Sequence, residues 1–88
     1  MLSARAGTVL DLLVSEYVHT ATPVASEEIA RNPVLQVSPA TVRNTMSRLT
    51  EDGYISRPDI SAGGIPSDLG YRHFVEYIPE SVLYLIHI

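Results

Sequence analysis

Ser38-Pro39-Ala40-Thr41-Val42-Arg43-Asn44-Thr45-Met46-Ser47-Arg48-Leu49, closed by Glu51-Asp52-Gly53, reads as a short helix with a start, a stop and two unlike faces. Ser38 can cap the free amides of the first turn. Pro39 suits the first helical position, where its missing N–H costs nothing. Val42, Met46 and Leu49 recur at i, i+4, i+7 and share one apolar stripe. At about 100° per residue, Ala40, Asn44, Ser47 and Arg48 fall on the opposite side, with Thr41 and Arg43 on its flanks. Gly53 tolerates the left-handed conformation that ends a helix. A helix anchored by one greasy stripe and presenting arginine, asparagine and serine outward is suited to the base edges of double-stranded DNA.

Working outward, the preceding stretch holds two further helices. From Ala4 to Thr20, Leu10, Leu13, Val14 and Tyr17 repeat at helical spacing, which predicts about four turns. Pro23 then restricts the residue before it and breaks the pattern. Ser26 to Asn32 predicts a short second helix, with Ser26 as its cap and Glu27 and Glu28 at the positive end of its dipole. Val34, Leu35 and Val37 are expected to plug the core before the third helix. After Gly53, Tyr54-Ile55-Ser56-Arg57 favours a strand. Asp59 to Gly64 is a turn-rich loop, and Ile65-Pro66 a short return strand on an edge. Ser67 is expected to cap a fourth helix from Asp68 to about Tyr77. Leu69, Tyr71, Phe74, Val75 and Ile78 form its apolar side, and Gly70 is a weak spot. The expected fold is mainly α with a small β-hairpin, a winged helix-turn-helix. The expected domain spans residues 1–78; residues 79–88 form an apolar tail, open to a helix, a strand or a self-pairing strip.

Bulk properties limit the choices. Eighty-eight residues make one small domain. The chain has no cysteine, so disulfides, thiolate zinc sites and cysteine nucleophiles are excluded. No apolar run is long enough for a signal peptide or a membrane span, and a soluble cytoplasmic location is expected. The net charge of −4 is unusual for a DNA binder. It is unevenly spread: residues 31–57 hold four arginines against two acids, and the remainder two arginines against eight acids. So few phosphates would be neutralised per subunit, and binding would need base contacts, a second subunit, or both. No glycine-rich phosphate loop, ligand cluster or nucleophile–base spacing suggests an enzyme, and no metal or cofactor is expected.

The strings Ser38-Pro39-Ala40-Thr41-Val42-Arg43-Asn44, Met46, Leu49, Gly53-Tyr54-Ile55, Pro58, Ser61-Ala62-Gly63, Ile65-Pro66-Ser67-Asp68 and Gly70-Tyr71-Arg72 carry a more specific resemblance. Together with Tyr17-Val18 and Pro23-Val24-Ala25-Ser26, they resemble the N-terminal region of the HrcA family of bacterial heat-shock repressors, over roughly residues 8–78. The resemblance implies a dimeric binder of an inverted-repeat operator, CIRCE, in the bacterial cytoplasm, and a link to the GroE chaperonin. Three departures stand out. Family members usually have an arginine where Gly64 stands, they often have an acid where Thr45 stands, and their long C-terminal part has no counterpart here.

In this reading Asn44, Ser47 and Arg48 face base edges, and Thr41 and Arg43 lie near phosphates or bases. Ser38 and Ala40 belong to the same helix start. Arg57, Ser61, Gly63 and Gly64 form the wing that runs along the DNA backbone. Plainer readings stand beside these. Arg43 can instead pair with Glu28 or Glu51, Asn44 and Ser47 can be solvated helix residues, and Gly63-Gly64 can be only a tight turn. The tyrosines and Phe74 are expected in the core. His19, His73 and His87 show no metal spacing. The alternative function is a winged-helix module for protein contact without DNA binding.

Overall fold

The computed structural model of the chain describes residues 2–57 and 63–77. Pro58, Ser61, Ile78 and the tail at 79–88 lie outside the described residues, as do the expectations attached to them. Helix α1 (Ala4–Thr20) starts where the Ser3 hydroxyl accepts the Ala6 amide. It buries Val9, Leu10, Leu13 and Val14, while Tyr17 is half-buried against the same core. It stops at Ala21, which takes a left-handed conformation (φ 56°) and donates its N–H to the Tyr17 carbonyl at 2.7 Å.

Val24 then forms an isolated antiparallel bridge with Gly64, each N–H donating to the other's carbonyl at 2.9 Å. This bridge draws the linker inward and changes the start of α2 (Ser26–Ala30). Ser26 does not cap the helix. Ala25 stands at the cap without a side-chain bond, and Ser26 is buried, its hydroxyl donating to Glu27 Oε2 at 3.3 Å. The helix ends with Arg31 as its cap, short of Asn32. The turn to the next helix also departs from expectation. Asn32 Oδ1 accepts the Val34 amide at 3.0 Å, and Val34 is 73% exposed rather than packed in the core. Leu35 and Val37 pack against the core as expected.

Helix α3 (Pro39–Glu51) has the expected cap at Ser38, which accepts the Thr41 amide at 3.2 Å, and buries Val42, Met46 and Leu49. It ends in a Schellman turn: Tyr54 N–H reaches the Leu49 carbonyl and Gly53 N–H the Thr50 carbonyl, with Gly53 at φ 86°. Strands β1 (Ile55–Ser56) and β2 (Ile65–Pro66) pair antiparallel, Ile55 opposite Pro66 and Ser56 opposite Ile65.

Helix α4 (Asp68–Tyr77) is tied to the end of α3 by Ser67, whose hydroxyl donates to the Gly53 carbonyl at 2.6 Å and accepts the Gly70 amide at 3.1 Å. Gly70 is a contact point rather than a weak spot: a Cβ there would collide with the Tyr54 carbonyl. The buried stripe of α4 therefore runs through Gly70 and Phe74, one turn apart. Leu69 and Val75 are rotated off that stripe and are exposed, contrary to the expected apolar side. The core joins all four helices and β1: Leu10, Leu13, Ile29, Val42, Met46, Leu49, Ile55 and Phe74 form one buried cluster.

Candidate nucleic-acid interface

The buried stripe of α3 fixes which of its side chains face outward. Ala40, Arg43, Asn44, Ser47 and Arg48 are exposed, and Thr41 and Thr45 half-buried. Ser38 is exposed but committed to its cap, since its hydroxyl also lies 3.1 Å from Thr41 Oγ1. The arrangement is held rigidly from beneath, with Val42 and Met46 fully buried. A stiff helix carrying arginine and asparagine on its solvent side is the element a major groove admits.

Arg43 has a partner, though not an expected one. Its guanidinium lies 3.8 Å from Glu27 of α2, and not beside Glu28 or Glu51. The first turn of α2 packs across the side of α3, which brings the first of the two acids to hand. Both side chains are more than half exposed, so solvent screens the pair and it contributes little.

Along the other side of α3, Thr41, Asn44, Thr45 and Arg48 follow at i, i+3, i+4, i+7 and form one wall of a groove. The start of α1, with Ser3, Ala4, Arg5 and Ala6, forms the other. Two arginines and no carboxylate line it. Sequence reasoning missed Arg5, because a helix two elements upstream gives no local sign of lying beside α3.

The wing residues divide. Arg57 closes β1 half-buried, and among the described residues its Nε finds no hydrogen-bond partner. Gly63 and Gly64 are buried at the base of the hairpin and do not form an exposed tip. Gly64 spends both its backbone groups on Val24, and a Cβ on it would meet Leu13, Ile55 and Met46 side chains at 3.1–3.2 Å. The reason lies in the Val24 bridge, which clamps this end of the hairpin onto the core. The structure thus shows Gly63 and Gly64 in the clamp between hairpin and core.

Away from this face, Asp11, Tyr54 and His73 line a shallow cleft between α1 and α4. His73 stands edge-on to Tyr54, ring centres 5.7 Å apart. Burial pushes the Asp11 carboxyl above its ordinary range, partly opposed by the nearby His73. Among the described residues, no three His, Asp or Glu side chains gather as metal ligands, and no helix is long and apolar enough to cross a membrane.

Three helices, a hairpin clamped to their core and an outward arginine-bearing third helix define a winged helix-turn-helix of the DNA-binding class. Comparison with known proteins agrees. Residues 1–75 match the family described as winged helix-turn-helix transcription repressor, HrcA DNA-binding, and the chain belongs to that family, which is not one of enzymes. It is similar to the heat-inducible transcription repressor HrcA of Chloroflexus aggregans, 53% identical over 90% of this chain and 21% of that protein. It is equally similar to HrcA of Symbiobacterium thermophilum, 53% identical over 91% of this chain and 24% of that one. A solved structure titled "Crystal structure of a hypothetical protein at 2.2 A resolution" matches with a TM-score of 0.82 at 36% identity, over 97% of this chain and 25% of the other. The chain thus spans about a fifth to a quarter of the length of the curated relatives it matches.

Proposed function

We propose that this chain is the operator-reading module of an HrcA-type heat-inducible repressor, binding double-stranded DNA sequence-specifically in the bacterial cytoplasm. The observation that carries the reading is the exposed face of α3, with Asn44, Ser47 and Arg48 presented over a fully buried Val42–Met46 stripe. With α3 in the major groove, Arg48 suits the O6/N7 edge of guanine and Asn44 suits adenine. Thr41, Arg43 and Arg57 serve as backbone contacts that set register, with the cap at Ser38 and the small Ala40 letting the helix start approach closely. Ser61, between the two strands in sequence, is assigned to the same backbone contact. Residues 1–78 form the DNA-binding unit, and residues 79–88 a separate apolar segment.

One such helix covers one half-site. The family's inverted repeat calls for two copies with half-sites one or more helical turns apart, so the working form is a homodimer. A chaperonin link belongs to the same family resemblance and to the whole repressor.

The test is fluorescence anisotropy against a duplex carrying the CIRCE inverted repeat, beside a scrambled duplex of equal composition, over a salt series. Preference for the repeat that survives rising salt supports base readout. Equal and steeply salt-sensitive binding to both duplexes rejects sequence-specific reading by this chain. Absence of binding at low salt favours the protein-contact alternative.

A further inference from the structure

We infer that Arg5, at the start of α1, is a DNA-contacting residue: it anchors one backbone phosphate on the flank of the recognition helix α3. The inference rests on the DNA-binding reading above and adds a residue from outside the helix-turn-helix and the wing.

The groove between α1 and α3 carries it. Arg5 on one wall and Arg48 on the other share that groove with Asn44, Thr41 and Thr45, and none of the residues lining it is acidic. Arg5 is exposed and, among the described residues, enters no ion pair; the only one there joins Arg43 to Glu27. Two guanidinium groups bordering one groove repel each other unless an anion lies between them. Five donors in a planar fork make arginine well matched to phosphate oxygens.

The direction of approach names the anion. Thr41, Asn44, Thr45 and Arg48 form one longitudinal stripe of α3. When that helix lies in a major groove, the sugar-phosphate strand bordering the groove must pass along its side. On this side the protein's own boundary is the start of α1, where Arg5 stands. Arg5 also borders a neighbouring depression with Val34, Leu35 and Val37, so it stands beside the α2–α3 turn as well as α3. A phosphate held there sets the depth and register of α3 and leaves Asn44 and Arg48 to the base edges.

The test combines a variant with a modified ligand, using the intact chain. Arg5→Ala is expected to weaken binding to the inverted repeat and to a scrambled duplex by about the same factor, on the order of tenfold. It should also lower the slope of log affinity against log salt by about one. Arg5→Lys should recover the slope. Scanning the half-site with single neutral methylphosphonates should reveal one position that weakens the unmodified chain and leaves Arg5→Ala unaffected. A purely structural role would move the melting temperature and leave that positional coupling absent. Unchanged affinity and slope in Arg5→Ala overturns the inference, as does an equal methylphosphonate penalty for both proteins at every position. If the unmodified chain binds no duplex, the DNA-binding reading itself fails, and that outcome is distinguishable because it precedes any comparison with the variant.

Discussion

Replacing Gly63 by alanine should cost this domain a large part of its stability, and replacing Gly64 should not. Gly63 holds φ 93°, a conformation that L side chains rarely adopt, at about 1–2 kcal/mol. A Cβ on it would also lie 2.5 Å from the Val24 carbonyl oxygen and 2.7 Å from its carbon. Those are backbone atoms, and Val24 is held in place by two reciprocal 2.9 Å bonds to Gly64. Relief requires opening that bridge, and each bond contributes about 0.5–1.5 kcal/mol net. The total is about 2–5 kcal/mol, against about 4–13 kcal/mol expected for a domain of this size. In thermal unfolding followed by circular dichroism that is a fall of about 8–40 °C. Gly64→Ala instead meets the ends of Leu13, Ile55 and Met46 side chains at 3.1–3.2 Å, which can give by a few tenths of an ångström. Its cost should be about 1 kcal/mol. A Gly63→Ala loss under about 1 kcal/mol, or one smaller than that of Gly64→Ala, would refute the assignment of Gly63 to the clamp between hairpin and core.

Further substitutions probe the rest of the molecule. Ala21→Gly, at the left-handed exposed end of α1, should raise stability by about 0.5–1 kcal/mol, and a loss in urea unfolding would contradict the relief of backbone strain. Asp11 has a folded-state pKa raised by burial, so the folded protein binds that proton more tightly than the unfolded chain, and the site costs stability as pH rises through and above the carboxylate range. Asp11→Asn should therefore gain on the unmodified chain as pH rises from about 3 to 7; a difference independent of pH would count against it. Arg48→Ala should relax preference at one base pair, worth about 1–3 kcal/mol of discrimination, whereas a uniform loss over all sequences would assign Arg48 to a phosphate. Glu27→Ala should change stability by less than about 1 kcal/mol while leaving DNA affinity equal or higher, because the screened pair with Arg43 contributes little; a clear loss of affinity would show that Glu27 positions Arg43.

Helix α3 was legible because everything that specifies it is local. The cap at Ser38, the proline after it, the Val42–Met46–Leu49 stripe and the stop at Gly53 lie within sixteen consecutive residues, and each appears as expected. Its exposed candidates follow from that stripe alone. Errors arose where distant segments meet. Ser26 looks like a cap in sequence, yet it is turned inward beside the bridge that pairs Val24 with Gly64, a contact spanning 40 positions. Gly63-Gly64 has the composition of a loop tip, and the same bridge buries it. Gly70 weakens a helix by propensity, but close approach to Tyr54 makes a side chain there impossible to place without movement. That approach also rotates Leu69 and Val75 outward. Arg5 belongs by sequence to the acidic remainder of the chain, and a charge balance along the sequence carries no sign of which end of α1 lies beside α3.

The place of Arg5 beside α3 bears on the net charge of −4. An acidic domain approaching DNA is opposed only by charges that the phosphates can feel. At physiological salt the screening length is about 8 Å, whereas the molecule measures 32 × 27 × 26 Å. Carboxylates on the far side are thus largely screened, and the local balance at the contact face decides the sign of the interaction. There the α1–α3 groove has two arginines and no acid, and Glu27 is paired with Arg43. Few cations also mean few displaced counterions, so non-specific affinity should be low and the salt dependence shallow for a DNA-binding domain. On the proposed reading discrimination depends on the few base contacts of α3, and a second copy on an inverted repeat would multiply those contacts. On that reading the scarcity of cations works toward specificity: with few phosphates neutralised, little affinity remains where Asn44 and Arg48 find no matching edge.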